Sequence, residues 1–298
     1  MSYTGPEFEP PQQRRPRRGP LVVALAALVP GALIGWLAYE TVGGGGGHAG
    51  AASSPSARAS ASASSGADGK AAAPLDGKVV VIDPGHNPDN FRHPAEINRK
   101  VDIGSNRKEC DTTGTATDDG YAEASFTLDV AHRLRTLLEG QGATVRLTHD
   151  DKGPAWGPCV TERAAIGNRA HADAAISIHA DGAPVGDRGF HVILPGAVHA
   201  GAADTRPIVA PSRDLGKRVA ASFLRVTGEP PSNYIGHGTA LDTRTDLGGL
   251  NLSTVPKVFI ECGNMRDTKD AALLTSGTWR QKAAQGISEG IVSFLRES

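Results

Sequence analysis

Three short apolar runs in this chain each end on a side chain that can ligate a metal or carry a proton. Val79-Val80-Val81-Ile82 leads through Asp83-Pro84-Gly85 to His86, Ala174-Ala175-Ile176-Ser177-Ile178 leads to His179, and Lys257-Val258-Phe259-Ile260 leads to Glu261. Runs of this length, rich in β-branched residues, read as buried strands. Asp83-Pro84-Gly85 stops the first sharply, because Pro lacks a backbone donor and Gly accepts unusual backbone angles. Ala180-Asp181-Gly182 and Cys262-Gly263-Asn264 follow the other two. In open α/β sheets ligands bind at the carboxyl ends of the strands. If the three are parallel neighbours, their last side chains meet at one rim. One histidine in such a place is more often structural than functional; three such endings in one chain shift that balance.

Helical periodicity fills the gaps between them. Residues 122–139 put Phe126, Val130, Leu134, Leu137 and Leu138 on one face, and Gly140 ends the run. Thr161 is expected to cap a helix through Ala170, Ser212 a helix carrying Leu215, Val219, Phe223 and Leu224, and Thr278 the last helix, with Ile287, Ile291, Phe294 and Leu295. Residues 143–148 and 188–194 read as further strands. Alternation of this kind predicts a single α/β domain, residues 75–298, with a mostly parallel sheet covered by helices.

Ahead of that domain the composition changes. Residues 1–19 form a polar, Pro-rich tail with Arg14, Arg15, Arg17 and Arg18. Residues 20–40 are read as a transmembrane anchor: no charge occurs from 20 to 39, and about 20 apolar residues span a bilayer. The arginines in front predict a cytoplasmic amino terminus and an external remainder. The alternative is a signal peptide, cleaved on secretion. Residues 41–74, mostly Gly, Ala and Ser, cannot bury a core and read as a disordered linker. The net charge of -1 lacks the basic excess that nucleic-acid binding requires, so no nucleic-acid partner is expected.

Cys110 and Cys159 lie in polar, Gly-rich segments of the part expected outside the cell. Such a compartment is oxidising, so the two are expected to pair. Closing a loop of that size stabilises by about 4 kcal/mol. Cys262 follows an apolar run and reads as a small core residue. No Cys-x-x-Cys pair occurs, which argues against a thiolate zinc site. Glu123 opens the helix of residues 122–139, where the helix dipole alone favours a carboxylate. With His86 and His179 it also completes two imidazoles and a carboxylate, a set that holds catalytic zinc and leaves one position open. Neither His-Glu-x-x-His nor Gly-x-Ser-x-Gly is present. His191, His199 and His237 read as surface or loop residues, with a substrate contact by one of them as the alternative.

In order, Asp83-Pro84-Gly85-His86, Glu123 at a helix start, Ser177-Ile178-His179-Ala180-Asp181, and the stretch from Val255 through Glu261 to Asn264 resemble the zinc-dependent N-acetylmuramoyl-L-alanine amidases of the Amidase_3 type. The similarity runs over residues 75–298. Glu109-Cys110, Gly157-Pro158-Cys159 and Asp246-Leu247-Gly248-Gly249-Leu250-Asn251 are similar to secreted actinobacterial enzymes of mycobacterial type. The chain departs from many relatives at Asn87-Pro88, Asp181 and Cys262-Gly263, where they carry Gly-Gly, Asn and Gly-Phe. The resemblance implies a twisted, mainly parallel six-stranded sheet with helices on both faces. It implies one zinc ion per chain on His86, Glu123 and His179, and Glu261 as the catalytic acid/base. The implied reaction is hydrolysis of the amide between N-acetylmuramic acid and the L-alanine of the peptidoglycan stem. The expected partner is peptidoglycan or its fragments, met by a monomer held at the membrane with its catalytic domain facing the wall. A non-catalytic wall-binding module and a zinc peptidase acting within the stem are the alternatives.

Overall fold

The computed structural model describes residues 73–297. The basic tail, the run read as an anchor or signal peptide and nearly all of the linker lie outside the described residues. Among the described residues, no helix is long and apolar enough to cross a membrane. Leu75 is buried, and its backbone N–H donates to Gln141 O at 2.9 Å.

The first strand is β1 (Val79–Pro84), and the segment after it holds a one-turn helix α1 (Pro94–Ile97) and a hairpin, β2 (Lys100–Asp102) with β3 (Arg107–Glu109). The regular alternation then begins: α2 (Glu123–Gly140), β4 (Thr144–Leu147), α3 (Val160–Arg169), β5 (Ala174–Asp181) and β6 (His191–Pro195). A small hairpin, β7 (His199–Ala200) with β8 (Ala203–Asp204), leads into α4 (Arg206–Thr227). The chain closes with β9 (Leu241–Arg244), α5 (Gly248–Asn251), β10 (Lys257–Asn264), α6 (Thr268–Leu274) and α7 (Gly277–Leu295).

Six strands form one sheet in the order β4-β1-β5-β10-β6-β9. Every neighbouring pair is parallel except β10 with β6. The three strands picked out by their terminal side chains, β1, β5 and β10, are therefore adjacent and parallel at the centre. Strand side chains alternate between faces. One face presents Val80, Ile82, Ile176, Ile178, Val258 and Ile260, all fully buried, to α2, α4 and α7. Burying side chains of this kind stabilises by roughly 1.5–3 kcal/mol each. The opposite face carries Val81 and Ala175, packed with Ile166 of α3, and then the polar rows that build the site.

Several helix starts differ from the sequence expectation. α3 begins at Val160 with Cys159 in the cap position, so Thr161 lies inside it; the chain is already turned there by the fixed Cys159. α4 begins at Arg206, with Pro207 in the first turn and Pro211 inside the helix. Pro207 suits a first turn, where its missing N–H is not needed. Ser212 is therefore interior, and its hydroxyl accepts from Lys257 N at 3.1 Å instead of capping. Ser276, not Thr278, caps α7 by accepting from Trp279 N. The strand expected over 188–194 is His191–Pro195.

Candidate active site

The strand registers put the candidate side chains in one row. Glu261 of β10 pairs with His179 of β5 on one side and with His191 of β6 on the other. His86 stands two residues past the end of β1, in the left-handed region at φ 62°. Gly85, just before it, is required by close approach and not by backbone angle: a Cβ there would lie 2.4–2.7 Å from the His179 ring. Glu123 reaches the same place from the first turn of α2. Among the described residues, His86, Glu123 and His179 form the one group whose ligand atoms converge, all within 4.8 Å of one another.

The contacts fix which atom of each residue faces inward. Glu123 Oε1 lies 3.2 Å from His86 Nε2 and 2.9 Å from His179 Nδ1. The other carboxylate oxygen is occupied, because Thr115 N donates to Oε2 at 2.9 Å. The outward nitrogens also have partners. His86 Nδ1 is 3.1 Å from Thr112 O, and His179 Nε2 is 3.2 Å from Ser177 Oγ. A ring that gives its N–H to a backbone or hydroxyl oxygen on one side presents a lone pair on the other. Phe259 stacks on the His179 ring, 5.2 Å away and 9° from parallel.

Beneath the two rings lies a buried ionic network centred on Asp83. Its Oδ1 accepts from Thr148 Oγ1 at 2.7 Å and from Arg163 Nη1 at 2.8 Å. Its Oδ2 accepts from Ser177 Oγ and Lys257 Nζ, each at 3.0 Å. Burial alone would raise the Asp83 carboxyl, but the Lys257 and Arg163 cations outweigh it and hold it far below the carboxylate range. One aspartate thus supports both histidines, His179 through Ser177 and His86 through Arg163.

The ring-and-carboxylate cluster behaves as a place made for positive charge. Burial works against a charged His86, yet the Glu123 carboxylate and Asp111 overcome it and push the ring up to about 10. Glu123 is held low by the two rings in spite of its burial. Glu261 goes the other way: burial first, then the Glu123 and Asp181 carboxylates, raise it well above the usual carboxylate range. Its Oε2 is shielded and has no hydrogen-bond partner. Burial likewise raises the Cys262 thiol, which is fully enclosed and no nucleophile. A cavity of about 260 Å³ opens beside His86 and His179, walled by Val160, Leu247 and Phe259.

Cys110 and Cys159 are joined by a disulfide. His199 and His237 are exposed. His191 is not a surface residue: it is 2% exposed, on β6, with its ring edge-on to Tyr234 at 5.9 Å. Its antiparallel pairing with Glu261 turns it inward, which strand periodicity alone could not reveal without the partner strand. Arg163, Asp111, Ser177 and Tyr234 were also not singled out by sequence. For Arg163 and Asp111 a signal existed, since Asp111 lies one residue after Cys110 and Arg163 four residues after Cys159.

Residues 80–293 match the N-acetylmuramoyl-L-alanine amidase family of the Amidase_3 type. The chain belongs to this family. It is 40% identical over 228 residues to the N-acetylmuramoyl-L-alanine amidase Rv3717 of Mycobacterium tuberculosis, covering 75% of this chain and 88% of that protein. The crystal structure of the amidase Ami1 from Mycobacterium smegmatis superposes with a TM-score of 0.68 at 40% identity, over 75% of this chain and 99% of that one. The apo form of Ami1 from Mycobacterium abscessus gives 0.66 at 39%, over 74% and 100%. The amidase family inferred from the four motifs is thereby established for this chain, and the chain is similar to mycobacterial members of it.

Proposed function

We propose that this amidase hydrolyses the bond between N-acetylmuramic acid and L-alanine in peptidoglycan, using one zinc ion held by His86, Glu123 and His179, with Glu261 as the acid/base. The observation that carries the reading is the convergence of three ligand atoms beside a fourth, spare carboxylate on the adjacent strand. The donor set fits the metal. Two imidazole nitrogens and one carboxylate oxygen are a catalytic zinc set, and ligands about 2.1 Å from a tetrahedral ion lie about 3.4 Å apart, near the 3.2 and 2.9 Å seen here.

When bound, zinc supplies Lewis acidity to the scissile carbonyl and to water. The remaining work falls to the chain. Ser177 and Thr112 fix the two rings through their outward nitrogens. Thr115 N–H holds the Glu123 carboxylate so that one oxygen faces the rings. Glu261 Oε2 takes a proton from the attacking water and returns it to the amine nitrogen as the amide bond breaks. Its unpartnered oxygen is free to carry the proton in both halves of that transfer. Residues 20–40 would anchor the chain in the membrane, with residues 41–74 as the tether that lets the domain reach the wall.

Mass analysis of peptidoglycan digested by the zinc-loaded protein tests the reaction. The expected products are free stem peptides beginning with L-alanine and glycan strands stripped of them. Stems shortened from within would mean a peptidase instead, and an unchanged wall would mean a binding module; either overturns the reading.

A further inference from the structure

His86 is the one proposed ligand that does not sit on a regular element. It stands in a turn at φ 62°, a region that residues with a Cβ enter seldom and keep only when their surroundings over-determine it. Thr127 Oγ1 donates to Gly85 O at 2.7 Å and Gly85 N to Ile178 O at 2.9 Å, and one guanidinium supplies the largest share of the remaining contacts. Arg163 is 4% exposed and uses its whole fork. Its Nη1 donates to Pro84 O at 2.6 Å and to Asp83 Oδ1 at 2.8 Å; its Nη2 donates to His86 O and to Asp111 Oδ2, each at 2.8 Å; its Nε donates to Pro158 O at 2.8 Å. Two carbonyls of the His86 turn are therefore gripped at once. Asp111, 6% exposed, completes the hold from the other side, with Oδ1 3.5 Å from His86 Nδ1.

These two residues come from distant parts of the chain, and the disulfide brings them together. Cys110 immediately precedes Asp111, and Cys159 stands at the start of the helix that carries Arg163. Beside the bridge, Val160 N donates to Cys110 O at 2.7 Å, and Arg163 N donates to Cys159 O at 3.0 Å.

We infer that Arg163 and Asp111, held side by side by the Cys110–Cys159 bridge, are positioning residues for His86, and that the bridge serves metal retention as well as stability. This rests on the zinc reading above. A planar, five-donor fork can hold two carbonyls and two carboxylates together; a lysine cannot. Partners that orient a metal-bound imidazole typically contribute 10–100-fold in metal affinity.

The test is zinc affinity by chelator competition on the full chain, below the unfolding temperature of every variant, with the visible spectrum of the cobalt-substituted protein as a report on ligand geometry. Asp111→Asn and the double variant Cys110→Ala/Cys159→Ala should each release zinc about 10-fold or more readily and shift the cobalt bands. Gly290→Ala, which strains the fold far from the site, should change neither. If the bridge-free chain does not fold, Asp111→Asn decides alone. Wild-type zinc affinity and an unchanged cobalt spectrum in a folded Asp111→Asn would overturn the inference while leaving the zinc reading intact. A wild-type chain that takes up no zinc would overturn both.

Discussion

At the scale of single residues, the site depends on what is absent at position 85 as much as on what is present at 86, 123 and 179. An alanine at Gly85 meets no backbone penalty, but its Cβ would stand 2.4 Å from the His179 ring. The ring must move, and a displacement of about 1 Å at a reacting centre costs on the order of 100-fold in rate. Gly85→Ala is thus expected to keep its fold by circular dichroism and lose amide hydrolysis by about that factor; full activity would show that the ring position is not critical. The ligand candidates were legible in the sequence because each closes an apolar run or opens a helix. Arg163 and Lys257 were not, because a buried cation has no periodic signature and shows itself only when its carboxylate partner is known. That partner, Asp83, carries a prediction of its own. Its folded pKa lies below the ordinary value of 3.8, so its contribution is present above that value and is lost as pH falls through it toward the folded one. Unfolding midpoints from pH 7 to pH 2 should fall steeply below about 4. Asp83→Asn should cost about 3–5 kcal/mol at neutral pH and flatten the acid limb; an unchanged slope in that variant would assign the acid loss elsewhere.

At the scale of elements, the centre of the sheet was readable and its edges were not. β1, β5 and β10 are continuous apolar runs because both of their faces are covered. β9 (Leu241–Arg244) and the β2–β3 hairpin are short, half-exposed and polar, so neither alternation nor apolar content marks them. The starts of α3 and α4 were displaced where a cysteine bridge or a proline, not a hydroxyl, sets the first turn, whereas α7 starts two residues early on another hydroxyl, Ser276. Helix packing also hides in glycine. α4 and α7 approach so closely at Gly290 that a Cβ would lie 2.5 Å from Val219 Cα. Gly290→Ala should therefore lower stability by roughly 1–3 kcal/mol through overpacking, read as a lower denaturant midpoint with zinc content unchanged. A variant as stable as the wild type would mean that the two helices can slide apart at no cost.

At the scale of the whole molecule, the proposed arrangement is an amidase domain tethered to a membrane. The charge-free run of residues 20–39 and the arginines before it lead to the expectation that protease added to intact, wall-stripped cells degrades the domain. Complete protection would place the domain inside. Everything else rests on one division of labour, in which three residues hold zinc and a fourth moves the proton. Zinc content by elemental analysis, paired with stem release from purified wall, measures that division in the Glu261→Gln variant. The account predicts about one zinc per chain, as in the wild type, with hydrolysis reduced by a factor on the order of 100 or more, whereas His179→Ala loses both. Loss of zinc from Glu261→Gln would make Glu261 a ligand, and near-normal hydrolysis by that variant would move the proton transfer to another side chain; either result contradicts the account.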